Sequence, residues 1–546
     1  MSSSTYIPKS NQYSAIPQAE EAAEEDIDDT RSANTLIPEP PRDKKTNSRS
    51  AQYSKLNTSE EFDFGGEEEE EGRIGEGEGE EIELETLDNL DYEVDIEEEE
   101  AASTISTTII GSSNMKMAFM NMTNSILGAG IIGQPLAFKN SGFLGGILVM
   151  ILLTMLIDWT LCLIVRNSIL AQRAKSYQDT VKYCFGLPGK IVLLLAISSF
   201  AYGGCMAFCV IIGDTIPHVL KTFIPQSVTS GGWAWLFHRN TIIVVFTCCI
   251  SYPLSLNRDI SKLAKASAFA LFGMLVIVVL TVARAPYVSS DLRGTIAKHE
   301  WFINYNIFQG ISVISFALVC HHNTMFIYQS MKNPSLAKFT KLTHFSCSIS
   351  MVFCMIMGLN GFVNFGNLTK GNILNNFKSN DNWINVARFC FGLNMLTTFP
   401  LEIFVVRDVI KDILLTRKVK REGVSSASDL ELSTKQHFII TSILVFSSMS
   451  VSLFTCNLGM ILELIGATSA SLMAYIIPPM CYYKLSWLQL DWASVTKQER
   501  RTFILSKAVP SIACILFGFT VMFISSGMTI RDAILNKDTS DHCVVD

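Results

Sequence analysis

The first 112 residues lack any hydrophobic period and have few basic side chains. They carry 31 Asp and Glu against 8 Lys and Arg, and include the run EEEEEGRIGEGEGEEIE from Glu67 to Glu83. Such a segment cannot bury enough apolar surface to offset the chain entropy that folding removes. The sequence therefore predicts a disordered acidic tail over 1–112. Its charge disfavours nucleic acid and anionic lipid headgroups as partners of the tail.

The cysteines lack the spacing of a metal or disulfide framework. All 14 follow residue 112, almost all lie in apolar runs, and no Cys-x-x-Cys motif occurs. Cysteines in such positions behave as small hydrophobic residues. No signal peptide is expected either, because the first apolar run begins only after residue 112 and no cleavage-like site follows it. We expect no metal and no cofactor.

Long apolar runs, in contrast, fill the rest of the chain. From Met115 onward they recur with lengths of about 17 to 25 residues, enough to cross a hydrocarbon core of about 30 Å. We predict an all-α integral membrane protein with a membrane domain over 113–527 and a short tail over 528–546. The eleven predicted spans are 116–138, 143–165, 191–213, 241–256, 266–283, 306–327, 345–366, 385–406, 438–455, 460–482 and 508–527.

The connections between the predicted spans differ in their content of Lys and Arg. Those after even-numbered spans hold 23, and those after odd-numbered spans hold 10. By the positive-inside rule the N-terminal tail lies in the cytosol, and the C-terminal tail lies outside or in a lumen. Asn367, in the sequence Asn-Leu-Thr, then falls in a non-cytosolic loop and is a predicted glycosylation acceptor.

The first predicted span contains the sequence GAGIIG, with Gly128, Gly130 and Gly133 in the spacing of a dinucleotide-binding fingerprint. That fingerprint requires a strand before it and a βαβ unit around it, which cannot form within lipid. Two interpretations remain. The glycines allow close packing of neighbouring helices, or together with Pro135 they interrupt the helix and free backbone groups that line a binding site.

The sixth predicted span is the first of a second group of five. Transporters built from inverted repeats have a second interrupted helix at the corresponding place in the second half. The span reads GISVISFALVCHHN from Gly310 to Asn323, and the adjacent His321 and His322 are costly in lipid. A functional pair and a pair of hydrogen-bonded core histidines are both compatible with this pattern.

Four stretches carry a resemblance to a known family: NSILGAGIIGQP, SFALVCHHN, NMLTTFPLEIFVVRD and LELIGATSASLMAYIIPP. They resemble the amino acid/auxin permease family and, within it, the fungal vacuolar amino acid transporters. The likeness covers roughly residues 114 to 527. It implies five-plus-five inverted repeats with broken helices 1 and 6, an eleventh helix, and alternating-access transport of amino acids across a vacuolar or other endomembrane.

The resemblance also implies roles for individual residues. The residues expected to contact the substrate carboxylate and amine, or to complete the pocket, are Gly128, Ala129, Gly130, Ile131, Phe316, Ala317 and Val319. No charged residue stands at either break, so an amino acid with a neutral side chain is the expected substrate.

The coupling ion is expected to be a proton, as in the fungal relatives. Glu463 is the first candidate carrier, and Glu402, Asp158 and His321 are further titratable groups within the spans. Each could instead be a paired structural group.

In sodium-coupled animal relatives, the residues at the places of Asn124 and Thr398 are associated with the ion site. A sodium-coupled transporter is therefore an alternative. An amino acid sensor of the same fold, signalling through the cytosolic tail, is a second alternative, and an enzyme is not expected.

Overall fold

The computed structural model describes residues 113–225, 231–232, 234–258, 267–422, 432–490 and 492–535. The tail predicted over 1–112 lies outside these ranges. Within them the chain is helical apart from turns, loops and one isolated β-bridge between Ser113 and Met331.

The α-helices lie in four consecutive groups. The first group comprises α1 (Met115–Ile126), α2 (Gln134–Ser141), α3 (Phe143–Leu170) and α4 (Tyr177–Phe223). The second comprises α5 (Arg239–Phe246), α6 (Ser267–Arg284), α7 (Ile307–Leu318) and α8 (Thr324–Ser330). The third comprises α9 (Leu336–Phe365), α10 (Asn382–Glu422), α11 (Thr434–Phe454) and α12 (Leu458–Ile465). The last comprises α13 (Ile477–Leu488), α14 (Lys497–Thr502) and α15 (Val509–Ile534).

Several of these helices continue into one another through wider π-helical turns. α5 continues through Thr247–Ser251 into one further α-helical turn that ends at Ser255. Two such turns, Gly466–Ala470 and Leu472–Ile476, join α12 to α13. The segment Phe503–Ala508 joins α14 to α15, which extends beyond the predicted end of the last span at 527.

Among the described residues, nine helical segments are long and apolar enough to cross a membrane. They correspond to all predicted spans except the first and the fourth. The first, 116–138, is divided between α1 and α2, and the fourth, 241–256, corresponds to the short helical segment from Arg239 to Ser255. The number eleven therefore remains a prediction.

Helices α4 and α10 form the most extensive contact in the bundle. Near one end of this contact the ammonium of Lys190 lies 2.7 Å from Asp412. Near the other end Asn385 donates a hydrogen bond of 2.7 Å to the Thr222 hydroxyl. Residue numbers therefore rise along one helix as they fall along the other, so the two helices run antiparallel.

Small residues hold α2 in place between two long helices. The ring of Phe138 fits between Gly146 of α3 and Gly358 of α9, where an added Cβ would come within 2.5 Å of the ring on either side. Such contact allows the backbones to approach closely, as small residues do between membrane helices. The second half of the interrupted first helix is thereby anchored in the bundle.

One prediction about the cysteines is wrong. Cys456, in the connection between α11 and α12, is disulfide-bonded. Twelve other described cysteines are free, and most of them are buried, as expected for small hydrophobic residues. Pairing depends on the distance between chain positions in the fold, which the spacing of cysteines within apolar runs does not reveal.

Candidate functional site

The glycine-rich sequence interrupts the first membrane helix. α1 ends at Ile126, the chain forms a 3₁₀ turn over Ala129–Gly133, and α2 begins at Gln134. Pro135 stands in the first turn of α2, where its missing N–H costs no helical hydrogen bond. The side-chain amide of Gln134 donates to the Gly130 carbonyl at 2.9 Å, and so satisfies one carbonyl that the interruption leaves without a helical partner.

A second interruption divides α7 from α8. α7 ends at Leu318, Val319 is extended, and His321–Asn323 forms a 3₁₀ turn before α8 begins. No glycine or proline stands in this stretch. The backbone signals that mark the first interruption are therefore absent here, and this interruption was predicted from the place of the span as the first of the second group of five.

The two interruptions touch each other at Gly130. A Cβ added there would overlap both Cα and Cβ of Ala317 and would lie 3.1 Å from the Ala317 nitrogen. Gly133 is similarly close to neighbouring side chains, with Leu462 at 2.7 Å and Val313 at 3.3 Å from such a Cβ. Both interpretations of the glycines therefore hold: they interrupt the helix and they allow close packing.

Gly128 has different surroundings from the other two glycines. Apart from its two chain neighbours, no described residue has an atom within 4 Å of the position that a Cβ would take there, and Gly128 is only partly buried. The first interruption therefore has open space on the side of Gly128 and a tight contact on the side of Gly130. A ligand reaching the free backbone groups has room beside Gly128.

Aromatic rings extend the site from the second interruption toward α4. The rings of Phe316 and Phe200 have centroids 5.3 Å apart, and the ring of His322 lies at the same distance from Phe200. Both ring nitrogens of His322 are buried and make no hydrogen bond with a described residue. His322 was noted in the sequence only as half of a histidine pair, because its partners in the fold are far apart along the chain.

The seven residues predicted to bind substrate all lie at the two interruptions. Gly128 is partly exposed, whereas Ala129, Gly130, Ile131, Phe316, Ala317 and Val319 are buried. Ile131 also lines an apolar cavity of about 360 Å³ between α1, α6 and α9. The walls of that cavity include the exposed Phe272 and Leu275 and offer almost no polar atoms, so it suits a lipid chain better than an amino acid.

Glu463 is buried and bound by side chains from three other helices. Its Oε1 accepts a hydrogen bond of 2.9 Å from Asn140 of α2. Its Oε2 accepts from Gln309 of α7 at 3.3 Å and from Thr529 of α15 at 3.1 Å. Gln309 also donates to Asp532 at 3.1 Å. The carboxylate therefore links four helices through hydrogen bonds.

The other titratable candidates have fewer partners. His321 is fully buried, its Nε2 lies 2.9 Å from the Thr160 hydroxyl, and its Nδ1 has no described partner. Asp158 pairs with His344 of α9. In Glu402 of α10, one carboxyl oxygen is buried without a hydrogen bond to any described residue.

Asn124 and Thr398, which the resemblance associates with a sodium site, share no hydrogen bond. The Thr398 hydroxyl donates within its own helix, to the Asn394 carbonyl at 2.8 Å and to its side chain at 3.1 Å. Asn124 is partly buried on α1, and no hydrogen bond joins it to Thr398. The oxygens that a sodium ion would require are present but not joined by direct contact.

A family model described as transmembrane amino acid transporter protein matches residues 111–531. "Vacuolar amino acid transporter 2" of Saccharomyces cerevisiae is 49% identical over 434 residues, which are 79% of this chain and 86% of that protein. "Putative sodium-coupled neutral amino acid transporter 11" of Mus musculus is 32% identical over 425 residues, 77% of this chain and 86% of that protein. Among solved structures, MhsT in complex with L-phenylalanine aligns with 79% of this chain and 99% of its own, at 14% identity and a TM-score of 0.42.

Proposed function

The chain belongs to the family of transmembrane amino acid transporter proteins, the amino acid/auxin permeases, and we propose that it moves amino acids across a membrane by alternating access. The observation that carries this proposal is the contact of two interrupted helices at Gly130 and Ala317. Interrupted helices expose backbone N–H and C=O groups inside a bundle, where they can bind the carboxylate and amine of a substrate.

The proposed architecture has eleven membrane crossings. α1 and α2 together form the first crossing, and the segment from Arg239 to Ser255 forms the fourth. The interruptions then fall in the first helix of each group of five, as inverted repeats require. α15 follows as an additional eleventh helix.

We place the N-terminus in the cytosol and the protein in the vacuolar membrane. The distribution of Lys and Arg between connections supports this orientation. It puts Cys456 and Asn367 on the luminal side. The disulfide at Cys456 agrees with that side, because disulfides persist in oxidising compartments and are rare in the cytosol.

The proposed substrate is an amino acid with a neutral side chain. The residues of the two interruptions, Gly128 to Gly133 and Val319 to Asn323, include no Asp, Glu, Lys or Arg. The space beside Gly128 and the rings of Phe316 and Phe200 offer backbone groups at one end and apolar surface at the other. Such a site binds the zwitterion through the backbone and leaves the side chain in apolar surroundings.

We propose that a proton is the coupling ion and that Glu463 responds to it on the luminal side. A carboxylate accepts hydrogen bonds at both oxygens, whereas a protonated carboxyl also has a donor. Protonation would therefore disturb the bonds that Glu463 accepts from Asn140, Gln309 and Thr529. Loosening that connection between four helices would open the luminal side of the bundle.

Sodium coupling is the second candidate, because the name of the mouse relative describes a sodium-coupled transporter. In that case Asn124 and Thr398 would supply oxygen ligands, as the family resemblance implies. Hard cations prefer such oxygen ligands. The two proposals differ in which gradient drives accumulation.

Uptake into proteoliposomes tests both the function and the coupling. Purified protein is reconstituted, a panel of labelled amino acids is offered, and either a proton or a sodium gradient is imposed. We expect a neutral amino acid to accumulate with the proton gradient alone. Accumulation driven by a sodium gradient alone would contradict proton coupling and support sodium coupling through Asn124 and Thr398.

A variant without residues 1–112 tests the sensor alternative in the same vesicles. We expect its uptake to equal that of the full chain, since the two interruptions and Glu463 lie after the tail. Failure of the full chain to exchange any amino acid in the panel would refute transport and favour a sensor.

A further inference from the structure

One carboxyl oxygen of Glu402 is buried without a hydrogen-bond partner among the described residues, in a helix long and apolar enough to cross a membrane. The residue as a whole is partly buried. Its Oε2 is inaccessible and neither donates to nor accepts from any described residue. A buried ionised oxygen without a donor or a cation is strongly disfavoured. The arrangement seen here therefore suits a carboxyl group that holds a proton.

The depth of Glu402 follows from the antiparallel contact of α4 and α10. At a rise of 1.5 Å per residue, Glu402 lies about 15 Å along α10 from Asp412 and about 25 Å from Asn385. Asp412 and Asn385 mark opposite ends of that contact through Lys190 and Thr222. Glu402 thus lies between the two ends of that contact and within the predicted span 385–406, about 6 Å along the helix from the end of the span.

Among the described residues, no basic side chain forms an ion pair with Glu402. α10 packs against α4, α6, α11 and the segment 247–255. On these elements, Lys190 pairs with Asp412, and Arg284 pairs with Asp381 at the far end of α6. Between their ends these elements contain no Asp, Glu, His, Lys or Arg over 191–213, 247–255, 267–283 and 438–454. Their tyrosine and cysteine side chains there are Tyr202, Cys205, Cys209, Cys248, Cys249 and Tyr252.

The nearest cation on α10 itself is also engaged elsewhere. Arg407 donates to the Ser255 carbonyl at 2.8 Å and to the Thr441 hydroxyl at 3.1 Å. Cys205 is the titratable neighbour of Glu402 on α4. No described side chain therefore supplies a cation to Glu402, and a proton is the cation that can neutralise its carboxylate.

One face of α4 connects Glu402 to the substrate site. Gly204 faces the Glu402 side chain, with 3.9 Å from the position of an added Cβ to the Cγ of Glu402. Phe200 stands one turn away on the same face of α4. Its ring contacts both Phe316 and His322 at the second interruption. A movement of α4 that accompanies substrate binding would therefore also change the surroundings of Glu402.

We propose that Glu402 binds the coupling proton within the membrane and releases it when α4 and α10 shift during transport. This inference rests on the proposed function, since a coupling proton requires transport. It gives Glu402 a different role from Glu463, whose carboxylate is held by three donors near the luminal side. The proton binds to Glu402 from one side and leaves to the other, and no covalent bond to the substrate forms.

The test compares Glu402→Gln with Glu402→Asp and with Asp408→Asn in proteoliposomes. The control Asp408 lies on the same helix, but its side chain is 55% exposed. Two quantities are measured with a neutral amino acid that the wild type transports: exchange without any gradient, and accumulation under a pH gradient. One pH unit supports about tenfold accumulation if one proton accompanies each substrate.

We expect Glu402→Gln to keep exchange but to lose accumulation, so that internal and external concentrations become equal. Glu402→Asp, which retains a carboxyl, should recover proton-driven accumulation, and Asp408→Asn should match the wild type. Normal accumulation by Glu402→Gln would overturn the inference and leave the proposed function intact. If Glu402→Gln fails to fold, the aspartate variant decides through its pH profile. Retained accumulation with a shifted pH dependence supports a proton site at this carboxyl, and accumulation with the wild-type pH dependence contradicts it.

Discussion

The contact between Gly130 and Ala317 makes a quantitative prediction about the first interruption. In Gly130→Ala the new methyl group would overlap Cα and Cβ of Ala317, and would need to move by about 1 Å to reach ordinary contact distance. Because backbone atoms are involved, rotation of a side chain cannot relieve the overlap. Overpacking of this kind costs about 1–3 kcal/mol, and we expect the upper half of that range.

Gly527→Ala is the matched control for this substitution. Gly527 lies within α15, and no described atom is within 4 Å of the position of an added Cβ. Replacing a helical glycine by alanine at an unobstructed position stabilises by about 0.5–1 kcal/mol. The same chemical change should therefore have opposite signs at the two positions, with a difference of about 2–4 kcal/mol.

A third variant, Gly128→Leu, separates ligand binding from packing. The leucine side chain enters the open space beside the interruption, so without ligand we expect a thermal midpoint close to that of the wild type. A transported amino acid raises the thermal midpoint of the wild type, and we expect this rise to be lost in Gly128→Leu. Gly130→Ala should lower the midpoint of the purified protein without ligand. A midpoint for Gly130→Ala equal to that of Gly527→Ala would refute the close contact with Ala317. A normal ligand-dependent increase in Gly128→Leu would exclude the space beside Gly128 as the binding site.

Three further predictions concern orientation and coupling. Protease added to intact vesicles whose cytosolic face is outward should remove residues 1–112 but spare a tag placed after Asp546, and protection of the N-terminal tail would reverse the orientation. Asn367→Gln should abolish a glycosidase-sensitive mass shift; a shift that persists would place the glycan elsewhere. Glu463→Gln can accept at only one oxygen, so it should lose about 1–2 kcal/mol of stability and should change the pH dependence of accumulation. An unchanged pH dependence would show that Glu463 does not respond to the proton.

The first interruption could be predicted from local sequence, but the second could not. Three glycines within six residues followed by Pro135 leave an α-helix with little to stabilise it, and the structure has a 3₁₀ turn there. At Val319 the chain leaves the helical conformation without glycine or proline nearby. That departure depends on tertiary contacts such as the approach of Gly130 to Ala317, which local propensity does not include.

The disulfide of Cys456 was missed for a related reason. The sequence predicts burial of cysteines in apolar runs well, because burial follows from local hydrophobicity. Bond formation instead depends on which thiols meet in space and in which compartment. From sequence alone, a cysteine in a short connection such as that between α11 and α12 could be either free or disulfide-bonded.

The two glutamates show most clearly what tertiary structure adds. In the sequence each is a single acidic residue in an apolar run, and Glu463 ranked first as proton carrier because of its neighbours along the chain. In the fold, Glu463 meets Asn140, which is 323 positions away, and Thr529, which is 66 positions away.

Glu402, in contrast, lies beside Gly204 of α4 and has one oxygen without a partner among the described residues. A carboxylate with three donors can remain ionised inside a protein, whereas one without donors or cations is more stable as the neutral acid. The difference between a carboxylate that joins helices and a carboxyl that carries a proton thus comes from side chains distant in sequence. Substitution by glutamine at the two positions should accordingly produce different defects: weaker coupling between helices at Glu463, and exchange without accumulation at Glu402.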